Sequence, residues 1–157
     1  MIKVNIVCVG KVKEKYFSEA VSEYAKRLSR YCQFNIKEVK EENYVENPDS
    51  KEILSILKKE GENVIKELKG TVVIMDILSK QYSSSEFSSF VSKMVDSGEE
   101  ITFVIGGSYG LSEDVKKLAK HKISFSNMTF PHTLFRVMLV EQIYRAFMII
   151  NNSKYHK

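Results

Sequence analysis

Apolar residues along this chain fall into two alternating rhythms. Short, mostly apolar runs occur at residues 2 to 9 (IKVNIVCV), 71 to 77 (TVVIMDI) and 101 to 107 (ITFVIGG), with weaker ones at 34 to 39 (FNIKEV) and 123 to 126 (ISFS). Runs of this length, rich in β-branched residues and closed by glycine or an acid, predict buried strands. Between them the apolar spacing changes to three and four. From Tyr16 to Tyr31, the residues Phe17, Ala20, Val21, Tyr24 and Leu28 form one stripe of an amphipathic helix. Asn47 before Pro48 predicts an N-cap with proline at the first helical position, and Ile53, Leu57, Val64, Ile65 and Leu68 carry that helix towards Gly70. The serine-rich stretch SSSEFSSFVSKMV keeps a helical period through Phe87, Phe90, Val91, Met94 and Val95, so Ser83 to Ser85 read as a helix start. Ser112 opens a short helix with Glu113 and Asp114 in its first turn and Lys120 and His121 in its last, the order the helix dipole favours. A long apolar helix from His132 to Asn151 precedes a polar tail, SKYHK.

Strands and helices alternating from end to end predict an α/β domain with a mostly parallel sheet and helices on both faces. With no repeat, linker or break in composition, residues 1–157 form a single domain. The net charge of +4 permits a polyanionic partner without requiring one. Cys8 and Cys32 show neither metal spacing nor CxxC pairing, so no metal is expected and a reduced, cytoplasmic setting is the simpler reading. The opening apolar run is too short for a signal peptide and leads into KVKEK. No apolar segment reaches the ~18 residues of a membrane span.

Two strand-to-helix junctions carry candidate chemistry. Gly106-Gly107-Ser108-Tyr109-Gly110 is a cofactor-loop candidate, because glycines let a ligand approach the backbone. It is not a dinucleotide fingerprint, since Ile105 stands where a glycine is required, and no Gly-Lys-Ser/Thr follows to make a phosphate loop. The missing ribose-binding acid about 20 residues beyond disfavours a nicotinamide oxidoreductase further. The second junction, Phe125-Ser126-Asn127-Met128-Thr129-Phe130-Pro131-His132, joins small polar groups to apolar residues that could cover an adenine. His132 is a candidate general base or RNA contact, standing at a helix start. On the last helix Arg136, Glu141 and Arg145 interrupt the apolar sequence, and Glu141 with Arg145 has the spacing of an ion pair. Lys154-Tyr155-His156-Lys157 offers cations, a ring and an imidazole, a set that can hold phosphate and stack on a base.

In order, G-K near residue 10, I-G-G-S-x-G after a central strand, S-F-S-x-M-T-F-P-H, R-V-x-L-x-E-Q-x-Y-R-A-F and a terminal Y-H-K resemble the ribosomal RNA large subunit methyltransferase H family of the SPOUT superfamily. The resemblance runs the full length. It implies a deep C-terminal trefoil knot, a homodimer, and S-adenosylmethionine-dependent methylation of N3 of a pseudouridine in helix 69 of 23S rRNA, within the ribosome or its large subunit. It also implies cofactor contacts at Met75, Gly106 and the segment Phe125, Ser126, Asn127, Met128, Thr129 and Phe130. Tyr155, His156, Arg136 and His132 are the candidates for catalysis, with the tail reaching the cofactor held by a partner chain. Two positions depart from the family pattern: Met75 replaces leucine, and Ser79 replaces the glycine before Lys80. A non-catalytic RNA-binding protein that keeps the fold is the alternative reading.

Overall fold

The computed structural model describes residues 1–42 and 46–157. Five strands and five helices alternate as the apolar rhythm predicts. They are β1 (Lys3–Val9), α1 (Lys15–Leu28), β2 (Gln33–Val39), α2 (Ser50–Glu67), β3 (Thr71–Met75), α3 (Ser84–Ser97), β4 (Ile101–Ile105), α4 (Glu113–Leu118), β5 (His121–Ile123) and α5 (His132–Ile150). Every strand pairing is parallel, in the order β2-β1-β4-β3-β5. The register sets Ile6 opposite Phe103, and Phe103 opposite Val73, across the middle of the sheet.

Each face of this sheet has its own core. Val21 and Leu28 of α1, Phe87, Phe90 and Val91 of α3, and Leu139, Val140, Ile143 and Phe147 of α5 pack against Ile6, Val73 and Phe103 on one side. Val64 of α2 and Val115 of α4 pack against Val7, Ile74 and Val104 on the other. β3 is therefore followed by a helix on one face and its neighbour β4 by a helix on the opposite face. A parallel sheet opens a crevice at the carboxyl ends of strands where consecutive connections diverge in this way.

Capping side chains set several helix starts. Ser83 accepts from the Glu86 amide and Glu86 accepts from the Ser83 amide, closing a capping box at α3, while Ser112 caps α4. Asn47 does not cap α2. Its φ of 50° places it in a turn, and Asp49 takes the role in a box with Glu52. The fifth strand is displaced as well, occupying His121–Ile123 rather than 123 to 126, so His121 belongs to a strand and not to the end of α4. Ser124 makes one further parallel bridge to Gln81, and its single hydroxyl proton is shared between the carbonyls of Ile77 and Ser126, after which the chain leaves the sheet.

Candidate cofactor cavity and the folded-back tail

At the carboxyl ends of β3, β4 and β5 lies a cavity of about 270 Å³. Met75 closes β3, Ile105 and Gly106 close β4, and Ile123 closes β5, and the cavity opens between them. The segment after β5 forms its outer wall through Phe125, Ser126, Met128, Thr129 and Phe130, and His132 and Phe135 at the start of α5 complete it. Of the residues expected to touch a cofactor, all but Asn127 line this space. Asp76, Ile77 and Phe135 also line it, although no candidate residue pattern singled them out. Asp76 could have been found: it is the acid that ends the β3 run, at the strand end where parallel sheets bind ligands.

The cavity fits a ligand that is part aromatic and part polar. Ile105, Ile123, Phe125 and Phe130 offer apolar walls, while Asp76, Ser126, Thr129 and His132 supply polar groups. His132 Nδ1 is buried with no hydrogen-bond partner among the described residues, a polar demand that a bound molecule can meet. Gly106 serves loop closure first. A Cβ there would stand 2.6 Å from the Gly110 carbonyl oxygen, so the β4 loop folds back on itself only because residue 106 has no side chain. The Gly110 amide donates to the Gly107 carbonyl in the same turn. Ser79 forms its turn without a left-handed φ, donating its amide to Asp76, whose carboxylate also takes the Leu78 amide. That turn does not require a glycine.

Arg136 lies away from this cavity. It is 1% exposed, and its guanidinium donates to Glu38 Oε2 at 2.6 Å and to the Gly10 carbonyl at 3.2 Å. Both contacts are internal to the chain, and the side chain ties α5 to the loop after β1.

The tail is not a free end. After α5, Asn152 takes a φ of 54° and the chain doubles back, so that Tyr155 packs against the core beside α5. The Tyr155 hydroxyl donates to Glu141 Oε1 at 3.0 Å, and its ring meets Tyr144 edge-on at 4.9 Å between centroids. Arg145 donates twice to the same Glu141 oxygen, at 3.0 Å and 2.6 Å, and lies 4.8 Å over the Tyr155 ring. The expected Glu141–Arg145 pair is present. The third nitrogen of Arg145 lies 3.0 Å from His156 Nδ1. A guanidinium only donates, so Nδ1 accepts and the imidazole proton sits on Nε2. Burial, with hydrogen bonds to Tyr24 and Glu141, pushes the Tyr155 phenol well above its usual pKa. It is therefore a donor at neutral pH.

Neither Tyr155 nor His156 lines the cavity of its own chain. Glu141, where the tail docks, is nine residues along α5 from His132, about 14 Å at 1.5 Å per residue. A second hollow, about 400 Å³, lies on that helix's flank, walled by Tyr24, Tyr82, Phe87, Phe125, Val137 and Met138, with Glu141 and Gln142 at its side. Among the described residues, no group of three or more His, Cys, Asp or Glu could hold a metal ion, and no helix is long and apolar enough to cross a membrane.

Comparison with known proteins agrees with this geometry. The model of the family described as "Predicted SPOUT methyltransferase" matches residues 2–156. Proteins named ribosomal RNA large subunit methyltransferase H are similar over 99% of this chain and 100% of their own length. Those from Clostridium acetobutylicum, Clostridium tetani and Clostridium perfringens strain 13 are 49%, 48% and 47% identical. A solved structure of a methylase family protein from Neisseria gonorrhoeae superposes with a TM-score of 0.51 at 10% identity, covering 91% of this chain and 82% of that one. At that identity the likeness concerns the fold.

Proposed function

The chain belongs to the ribosomal RNA large subunit methyltransferase H family of SPOUT methyltransferases, and from that membership we propose that it methylates N3 of a pseudouridine in helix 69 of 23S rRNA, using S-adenosylmethionine. The observation that carries this reading is the cavity at the ends of β3, β4 and β5, built from the segments in which the family resemblance is most specific. Bound there, the cofactor supplies an electrophilic methyl group on a sulfonium. Met75, Gly106, Phe125, Ser126, Met128, Thr129 and Phe130 line that space and would hold it, the apolar side chains suiting an adenine and the hydroxyl and backbone groups its polar parts. The reading also places the protein in the cytoplasm and ties the C-terminal segments in a deep trefoil knot.

Attack by N3 needs a lone pair, so the N3 proton must pass to water or to a base facing the cavity, such as His132, and the resulting negative charge must be favoured. The tail network suits the second task. His156, held by Arg145 with its proton on Nε2, can donate to a base carbonyl, and Arg145 adds positive charge behind it. Glu141 positions both, accepting from Arg145 and Tyr155 together. Reacting atoms must approach to about 3–3.5 Å, and neither Tyr155 nor His156 lines the cavity of its own chain. The working form is therefore a homodimer, in which the tail of one protomer completes the cavity of the other. The hollow flanked by Val137 and Met138 is an apolar surface that a second copy would cover.

The test combines calorimetry of S-adenosylmethionine binding with mass spectrometry of helix 69 after incubation with unmethylated ribosomes. Binding together with one added methyl group on the pseudouridine supports the reading. Ribosome binding without cofactor binding or methyl transfer would favour the non-catalytic RNA-binding alternative.

A further inference from the structure

We propose that the loop after β1, carrying Lys11, Lys13 and Lys15 with Tyr16, is a rigid clamp for the RNA backbone beside the cofactor cavity. The proposal rests on the reading that the substrate is RNA. Exposure along the loop alternates: Lys11, Lys13 and Lys15 face solvent, while Val12 and Glu14 between them are half-buried. Lys11 and Lys13 flank the half-buried Val12 and Lys15 opens α1, so the exposed side of this short segment carries three ammonium groups. Among the described residues Lys11 and Lys13 make no ion pair, and Lys15 pairs only with the exposed Glu19 at 3.7 Å. Tyr16, next along, keeps 66% of its surface in water while its ring rests edge-on against Phe17. An exposed ring beside free cations is the combination that holds phosphates and stacks on an unpaired base.

This loop is unusually well anchored for an exposed basic segment. The Gly10 amide donates to the Val39 carbonyl, and the Val12 amide donates to Glu38 Oε2 at 2.9 Å. That same carboxylate oxygen receives Arg136, whose other end-nitrogen takes the Gly10 carbonyl. One buried guanidinium thus fixes both ends of the first turn, and it does so from the first part of α5, one helical turn past His132. The loop also abuts the cavity: a Cβ on Gly10 would lie 3.3 Å from His132 Cε1, and His132 lines the cavity wall. Any base presented to the cavity brings its flanking phosphates close to this loop, and preset lysines bind them without ordering a flexible segment first.

The experiment compares wild-type protein with the K11A/K13A/K15A variant and with Tyr16→Ala, using ribosomes and a helix 69 stem-loop oligoribonucleotide as probes. Removing one phosphate-binding cation should lower the slope of log affinity against log salt by about 0.7–0.9. The triple variant should therefore lose about two units of slope, while Tyr16→Ala should weaken binding about tenfold with the slope unchanged. S-adenosylmethionine affinity should be unaltered in both, and melting temperature should move by no more than about 2 °C. An unchanged slope in a triple variant that remains folded would overturn the proposal. So would a loss confined to vesicles of anionic phospholipid, with ribosome affinity intact. Failure of wild-type protein to bind RNA at all would instead overturn the functional reading on which the proposal stands.

Discussion

Deleting Lys154 to Lys157 separates the tail's two roles. The hydroxyl of Tyr155 bonds a carboxylate, an interaction of about 1.5–3 kcal/mol, and its ring adds about 1 kcal/mol against Tyr144 and about 0.5–1 kcal/mol under Arg145. Against this gross gain of about 4 kcal/mol stands the cost of ordering Tyr155 and His156, about 1–2 kcal/mol for each backbone position. The net loss on deletion is about 1 kcal/mol, which for a chain of this size lowers the melting temperature by about 2–4 °C. Cofactor affinity should not change, because no tail residue lines the cavity. Methyl transfer should fall about 100-fold to 10,000-fold, the range for losing a positioned proton-transfer or charge-stabilising group. Calorimetry, thermal melting and single-turnover methylation of ribosomes check the three parts separately. Full-rate methylation by the truncated chain would refute the catalytic part. An unchanged melting temperature would refute the docking onto α5, and lost cofactor binding would show that the tail supports the cavity.

Three further outcomes follow from other parts of the structure. Gly106→Ala should abolish cofactor binding by forcing the Gly106–Gly110 loop apart, with secondary structure unchanged by circular dichroism; full cofactor affinity would show that the loop tolerates a Cβ. Co-expressing a tail-deleted chain with a Gly106→Ala chain should restore activity that neither has alone, up to about a quarter of wild type, since random pairing gives half heterodimers with one complete site each; no recovery in verified heterodimers would sink the shared site. Burial, with Lys120 nearby, lowers the pKa of His121, so the unfolded chain takes up the proton first and stability should fall as pH drops through the ordinary value of 6.5. In melts between pH 8 and pH 5, His121→Gln should flatten that part of the curve, and an identical slope would assign it to other groups.

What could be read from residues alone was set by the length of the pattern. β1, β3 and β4 are largely buried, and their short, β-branched, mostly apolar runs bounded by glycine or an acid read as strands. β5 has only three residues, and its ISFS sequence continues the apolar–polar alternation beyond the point where the backbone leaves the sheet. The start of α2 was ambiguous for a local reason: Asn47 and Asp49 are both good caps, and Glu52 completes a box only with the second. The segments that line the cavity were legible because they sit at strand ends, where parallel sheets open crevices regardless of sequence detail.

Arg136 and the tail were not legible, and the cause is the same for both. An arginine in an apolar helix suggests a reacting group until its partner is known, and Glu38 lies 98 positions earlier in the chain. A terminal Lys-Tyr-His-Lys suggests a mobile end until Asn152 is seen to turn the chain back onto Glu141. In each case a charge is compensated by a group that no periodicity connects to it, and burial of a paired charge constrains position strongly because breaking the pair leaves the other charge unmet. The consequence is a division of labour along α5. Its first turns fix the loop and the cavity wall through Arg136 and His132, and its middle fixes the tail through Glu141 and Arg145. Since neither Tyr155 nor His156 lines the cavity of its own chain, the same helix supports the proposal that the tail serves a second copy.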